Sequence, residues 1–391
     1  MNTLTQEEKN VFFRCNYLFF ISGIIAVSLG SLLPYIRETH NLEYGFAGML
    51  VSFHSIGNLI SSFLGGIVPV YLGRKKSSML FFSFGIIAFL LIAFSSNALL
   101  IGLAFFLTGI SRGNNSNFSN TMVNEIIPGK AWALNLLHGC FSIGAFLIPF
   151  FIMLLTRNGQ HYRWIYACVI IAILCVIQVI VVYFMKIPNN FPKTSKHKKY
   201  SFSFLKNKSF LILMGILFFY LSAEQGINGW LVTYFNETGI MSKAFSQSMF
   251  GILWLVIFLG RLINIYLSQK IKKSKLLLIS GGAFFIFFVI LLIARTLPIA
   301  VLGIVGVGFS MAGLYPATIA SAGMIIKKEP FALSFLITTA GLGAIIMPTI
   351  MGLVADNIGI AGGMGTLIIT VLITLIFICY NAYMNRGNEE L

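Results

Sequence analysis

Charge is scarce in this chain. Only 10% of its 391 residues are Asp, Glu, Lys or Arg, and just 11 are acidic. Soluble domains carry about 25% charged residues, so a water-facing surface wrapped around one core is excluded. Polar sequence is scarce too: the longest such piece, residues 187–207, leaves no room for an extramembrane domain. The five cysteines, Cys15, Cys140, Cys168, Cys175 and Cys379, all sit in apolar segments without CxxC or a Cys/His cluster, so they offer neither a disulfide framework nor a metal site. HExxH, GxSxG, Walker loops and paired carboxylates are missing, which sets aside an enzyme and leaves no nucleotide to drive work. No cofactor is expected. The first apolar run follows acidic residues and has no small-residue cleavage site, so it reads as a retained helix rather than a signal peptide.

Hydrophobicity fills the space that charge leaves. The chain is 58% hydrophobic with 38 Phe, and its mean hydropathy is +0.90. Crossing a hydrocarbon core of about 30 Å takes roughly 20 helical residues. Runs of that length recur over residues 11–36, 45–72, 77–95, 97–127, 131–156, 162–186, 208–236, 244–268, 275–295, 297–326, 331–355 and 359–385. The expected fold is an all-α integral membrane protein of twelve transmembrane helices.

The formal charge of +16 is distributed by side. With the N-terminus in the cytoplasm, twenty basic residues fall in inner loops and tails, among them Arg74, Lys75, Lys130 and Arg386. Five fall outside: Arg37, Arg157, Arg163, Lys243 and Arg295. This is the positive-inside pattern, so both termini are expected in the cytoplasm of a bacterial-type plasma membrane, and nucleic acid is not expected as a partner. The Lys-rich PKTSKHKKY reads as a topology-setting linker or as a contact for anionic lipid. The two cations left over, Arg112 and Arg261, lie inside spans.

A duplication organises the spans. Leu134 to Pro149 (LNLLHGCFSIGAFLIP) returns 199 positions later as Leu333 to Pro348 (LSFLITTAGLGAIIMP), with Leu, Leu, Gly, Ala and Pro in register. GGIVPVYL at Gly65 to Leu72 likewise matches GRLINIYL at Gly260 to Leu267. The expected organisation is an N-terminal six-helix bundle over 1–186, a basic cytoplasmic linker over 187–207 and a C-terminal six-helix bundle over 208–391. An even number of crossings keeps both copies in one orientation, as in transporters built from parallel repeats.

The loop after the second span, GIVPVYLGRKK, resembles the major facilitator signature G-x-x-x-D-R-x-G-R-K. Gly66, Gly73, Arg74 and Lys75 match it, while Val70 and Tyr71 stand where the signature has Asp and Arg. The resemblance implies a gating role for these four, with Glu125 and Lys130 in the same inner network. A narrower resemblance, to the fucose-permease-like sugar:proton symporters, rests on three segments: Asn120-Thr-Met-Val in span four, LNLLHGCFSIGA in span five and YLSAEQGINGWLVTY, from Tyr220 to Tyr234, in span seven. That group's acidic residues in spans one and four are replaced here by Gly30 or Ser31 and by Ser116 or Asn117. The family fold implies that spans one, four, seven and ten line a central cavity, with Arg112 and Glu224 facing each other across it.

Glu224 alone among the acidic residues lies near the middle of a span, and Arg112 holds the matching place in span four. A charge at the bilayer centre costs about 2.5–3.5 kcal/mol on insertion scales, so each should face a cavity or a partner. Three roles stay open for the two: proton coupling at Glu224, capture of a substrate carboxylate or phosphate by Arg112, or a permanent ion pair. Asn115, Ser116, Ser119 and Asn120 follow Arg112 along one side of span four; Tyr220, Glu224 and Asn228 form an i, i+4, i+8 row. Such rows suit a hydroxyl-rich ligand or act as interhelical glue. His138 and Tyr315 complete the candidate binding set. His54 with Asn58 could titrate or be structural, and Trp230 with Tyr234 would stack on a sugar ring or anchor at the interface. Arg261 would snorkel to the cytoplasmic side or serve a gate.

The expected protein is a secondary transporter, working as a monomer in the lipid bilayer. It would carry a small polar solute, a sugar or sugar derivative, by alternating access with H+ as coupling ion. The competing reading is an exporter or antiporter for an organic anion or drug-like compound.

Overall fold

A computed structural model describes residues 4–128, 131–157, 160–187, 202–329 and 331–384; Lys130, Arg386 and most of the basic linker lie outside them. Among the described residues, all regular structure is helical. The first ten spans are α1 (Gln6–His40), α2 (Tyr44–Leu72), α3 (Arg74–Phe94), α4 (Ala98–Ile126), α5 (Ala131–Thr156), α6 (Trp164–Tyr183), α7 (Lys208–Glu237), α8 (Lys243–Leu267), α9 (Lys273–Ile293) and α10 (Leu297–Ser321). A short α11 (Gly323–Lys328) precedes α12 (Phe331–Gly365) and α13 (Leu367–Met384). Ile358 and Gly359 leave helical geometry inside α12, Gly359 with φ 79°, so the eleventh crossing ends there and the twelfth begins at residue 360.

By length and apolarity, 10 helical segments qualify as spans, with 331–384 counted as one. Dividing that segment at Gly359 and adding α4 gives twelve. α4 misses on composition alone, because Arg112, Asn114, Asn115, Asn117 and Asn120 crowd its middle. Helix ends follow local chemistry. Thr5 and Glu8 form a reciprocal capping box at the start of α1. Asn97, Asn207 and Ser242 cap α4, α7 and α8. Gly73, at φ 78°, turns the chain from α2 directly into α3, a conformation open to glycine at little cost.

Contacts divide the chain into two units, Met1–Leu42 with Met49–Lys196 and Glu43–Gly48 with His197–Leu391. In the first, α1 is central, buried along most of Val11 to Ile36 and packed by α4, α5 and α6. Its side chains are apolar almost all round, as a helix surrounded on every side requires. In the second, α7 takes that place, against α8, α10, α12 and α13. The outer faces keep large apolar side chains exposed, including Phe94, Ile173, Ile286 and Ile369, which suits lipid rather than water.

Glycine sets how closely the central helices are approached. A Cβ on Gly144 of α5 would stand 2.1 Å from the Phe20 carbonyl oxygen of α1, and one on Gly343 of α12 would stand 2.1 Å from the Phe218 carbonyl oxygen of α7. Gly144 and Gly343 are the paired glycines of the duplicated segment, so the repeat in sequence is a repeated backbone contact. Small residues at such crossings allow dense packing where lipid supplies no hydrophobic drive. In the second unit the first turn of α2 is capped by Asp356 of α12, whose two carboxylate oxygens accept from the Tyr44 and Gly45 N–H groups at 2.7 and 2.8 Å.

Gly144→Ala or Gly343→Ala should therefore lower the melting temperature of the purified protein, at a cost of about 1–3 kcal/mol from forced helix separation. Gly66→Ala, whose Cβ would meet nothing within 4 Å, should not. Equal melting temperatures for all three would remove the glycine crossings as the organising contact.

Candidate functional site

In the first unit, packing splits the polar row of α4 into two faces. Asn115 and Ser119 turn into α1: the Asn115 Nδ2 donates to the Leu18 carbonyl at 2.7 Å, and the Ser119 hydroxyl donates to Asn115 Oδ1 at 3.0 Å. Gln178 of α6 donates to the same carbonyl at 3.2 Å. This clamp joins three helices and leaves the Asn115 amide engaged on both atoms. Arg112, Ser116 and Asn120 are half-buried and follow i, i+4, i+8 spacing on the other side. Asn120 Nδ2 donates to the Ser116 carbonyl at 2.8 Å.

The Arg112 guanidinium stacks over the Phe141 ring of α5, 5.7 Å from its centroid, a placement that favours a cation away from water. Phe141 and His138, one turn apart on α5, both meet Phe19 of α1, with ring centroids 5.8 and 5.1 Å away. Arg112 and His138 are thus brought to one aromatic cluster, and His138 stays exposed. His54 is buried, its Nδ1 2.8 Å from the Thr108 hydroxyl. Phe19 and Phe141 were not foreseen as site residues, although the i, i+3 spacing of His138 and Phe141 was available in the sequence.

The second unit holds the other predicted row. Tyr220 is buried and donates to the Met311 carbonyl of α10 at 3.1 Å. Tyr315 of α10 lies in electrostatic reach of Glu224. Asn228 Nδ2 donates to Gln225 at 3.3 Å, while its Oδ1 is buried without a partner. Glu224, Asn228 and Tyr315 are half-buried. Trp230 and Tyr234 belong to the interior instead: both are buried, and their polar atoms donate to the Pro348 and Leu292 carbonyls. Neither is placed as an interfacial anchor.

At the other signature, Arg74 makes a two-pronged contact with Glu125 at 2.6 and 2.8 Å, joining the start of α3 to the end of α4. Paired forks of this kind are the stronger class of ion pair. Lys75 lies over the Tyr183 ring at 5.3 Å. Gly73 supplies the turn, whereas Gly66 meets nothing; the close approach in that region belongs to Gly65, where a Cβ would stand 2.7 Å from Asn117 Nδ2. Lys186, after α6, pairs with Glu7, and that hydrogen bond and charge push its ammonium pKa up.

The family model described as Major Facilitator Superfamily matches residues 17–322. The chain belongs to that superfamily: it is a multi-pass membrane transporter and not an enzyme. Among curated relatives, the Protein TsgA homolog of Buchnera aphidicola subsp. Baizongia pistaciae is 20% identical over 362 residues, 92% of this chain and 91% of that one. Among solved structures, a mutant of the nucleoside transporter NupG superposes with a TM-score of 0.78 at 17% identity, covering 96% of this chain and 99% of the other. A variant of the E. coli fucose:proton symporter FucP gives 0.66 at 18% identity, over 96% and 99%. At these identities the likeness establishes the fold alone.

The split of the α4 row can be measured. Asn115→Ala should lower thermal stability by about 1–3 kcal/mol, since it leaves the buried Ser119 hydroxyl without its acceptor and removes one of the two amide donors to the Leu18 carbonyl. Ser116→Ala and Asn120→Ala should leave the melting temperature nearly unchanged and act on transport instead. A loss of transport with normal stability in Asn115→Ala would return Asn115 to the binding face.

Proposed function

We propose that this transporter moves a small hydroxyl-rich solute, a sugar or sugar derivative such as a nucleoside, and couples its movement to protons at Glu224. One observation carries the reading: each unit presents a polar i, i+4, i+8 row on a helix, Arg112–Ser116–Asn120 on α4, all half-buried, and Tyr220–Glu224–Asn228 on α7, where Tyr220 is buried and the other two are half-buried. Convergent donors and acceptors in apolar surroundings are what a sugar needs from its site. A carboxyl group placed mid-span is what proton coupling needs. The likeness to a nucleoside transporter and a fucose:proton symporter supports the same class. His138 and Tyr315 complete the binding set, and Arg74, Lys75 and Glu125, with the Gly73 turn, form the inner gate.

A second reading has its own observation. Arg112 seated on Phe141 beside His138 favours a carboxylate or phosphate on the cargo, so sugar acids and other organic anions compete with neutral sugars.

Uptake into proteoliposomes of neutral sugars, nucleosides, sugar acids and organic anions, with and without an imposed pH gradient, tests both. The expected result is gradient-driven accumulation of one hydroxyl-rich class. Glu224→Gln should retain exchange of that solute but lose accumulation, and Arg112→Ala should weaken its binding. If both variants keep binding and gradient dependence, the site is wrongly assigned; accumulation of anions alone selects the second reading.

A further inference from the structure

Two hydrogen bonds in the first unit fix where the proton sits on a buried histidine. The Thr108 hydroxyl of α4 lies 2.5 Å from the Phe105 carbonyl oxygen on its own helix. Two oxygens come that close only with a proton between them, so the one proton of the hydroxyl is spent there. His54 Nδ1 of α2 lies 2.8 Å from the same hydroxyl oxygen. With no threonine proton left, the ring must be the donor. Neutral His54 is therefore held as the tautomer with hydrogen on Nδ1, and its Nε2 is a bare acceptor.

That acceptor is unspent. Nε2 has no hydrogen-bond partner among the described residues. It is also not one of the unpartnered polar atoms sealed from solvent, as Ser61 Oγ and Asn114 Nδ2 are, so a small molecule can touch it. The lipid side of α2 carries the exposed Ile60, Phe63 and Ile67; by helical spacing His54 and Asn58 stand on the opposite side. On α4, Thr108 lies one turn before Arg112, so the row Arg112–Ser116–Asn120 extends back to the residue that holds the histidine. Arg112 can only donate. A solute hydroxyl that accepts from it has a proton of its own to give, and Nε2 is an acceptor at the head of the row.

A bond that merely glued α2 to α4 would be wanted in both copies. At the offset of 199, His54 corresponds to Leu253 and Thr108 to Val307. The second unit makes the same crossing without the bond: a Cβ on Gly109 would stand 2.0 Å from the His54 carbonyl oxygen, and one on Gly308 would stand 3.0 Å from that of Leu253. The crossing needs glycine and a carbonyl; the imidazole and hydroxyl are additions of the first copy.

We propose that His54 binds the cargo, Nε2 accepting a hydrogen bond from one of its hydroxyl groups, and that Thr108 is the positioning residue that fixes the tautomer. This rests on the reading of the cargo as a hydroxyl-rich solute.

Solid-state 15N NMR of the histidine-labelled full chain in lipid tests it. Without solute, the signals that vanish in His54→Gln should be a protonated Nδ1 and a bare Nε2. Thr108→Val, which copies the second unit, should let the hydrogen move to Nε2. D-xylose, L-fucose and uridine serve as hydroxyl-bearing probes, and one that binds should shift the Nε2 signal. His54→Gln can place an amide oxygen where Nε2 stands, and His54→Asn an amide nitrogen where Nδ1 stands. His54→Asn should weaken binding of that probe about tenfold, as for one lost hydrogen bond, and His54→Gln should weaken it less; a purely structural histidine gives the reverse order. Thr108→Val should also weaken binding, and supplies the comparison if His54→Asn is not recovered folded. Hydrogen on Nε2 in the unaltered protein, or a probe that binds without shifting Nε2, overturns the role of His54 and leaves the cargo reading standing. If none of the three probes binds, the hydroxyl-rich reading fails and the role of His54 with it.

Discussion

Backbone touching backbone at glycine is the constraint on which each unit depends. A helix surrounded on all sides, as α1 and α7 are, gains little from hydrophobic exclusion when the alternative environment is lipid, so its neighbours must gain from dispersion at short range. Gly144 against the Phe20 carbonyl and Gly343 against the Phe218 carbonyl supply that range. Two further contacts are related by an offset of 199 at both partners: Gly109 of α4 would place a Cβ 2.0 Å from the His54 carbonyl oxygen, and Gly308 of α10 would place one 3.0 Å from the Leu253 carbonyl oxygen. Helices docked this closely fix which faces remain for polar work.

The polar groups of the spans then fall into two kinds. Ser119 donates to Asn115, and Asn115 and Gln178 both donate to one carbonyl on α1; they hold helices together in a medium that offers no water. Ser116, Asn120, Glu224 and Asn228 lie on half-buried faces, and Asn228 retains a buried oxygen without a donor. A buried acceptor left open costs about 1–3 kcal/mol unless something else supplies the donor. Such a cost is tolerable where a ligand hydroxyl or water completes the bond.

The helices and the duplication were readable because both depend on short-range pattern: apolar run length reports a span, and an offset of 199 reports the repeat. Which side of α4 faces α1 was not readable. Asn115 and Ser116 are neighbours with similar chemistry, and only the position of the Leu18 carbonyl separates them. Gly66 matched a sequence signature, yet the close contact falls on Gly65, because contact depends on helix rotation and a motif does not record it. Trp230 and Tyr234 suited either sugar stacking or interfacial anchoring from their place near a helix end; the Pro348 and Leu292 carbonyls draw them inward.

The carbonyl contacts also explain how a duplicated scaffold carries an unsymmetrical site. Where a glycine packs on a carbonyl oxygen, the contact does not depend on the side chain of the residue that owns the oxygen. Gly109 packs on the carbonyl of residue 54, and Gly308 on the carbonyl of residue 253 together with a methyl of its side chain, so the crossing persists although one partner is His and the other Leu. The same freedom applies one turn on, where Arg112 of the first copy corresponds to Met311 of the second. Met311 meets Tyr220 through its carbonyl, again without involving its side chain. Symmetry is thus held in the backbone, and side chains at equivalent positions are free to diverge into an aromatic-seated cation in one unit and a carboxylate with its tyrosines in the other.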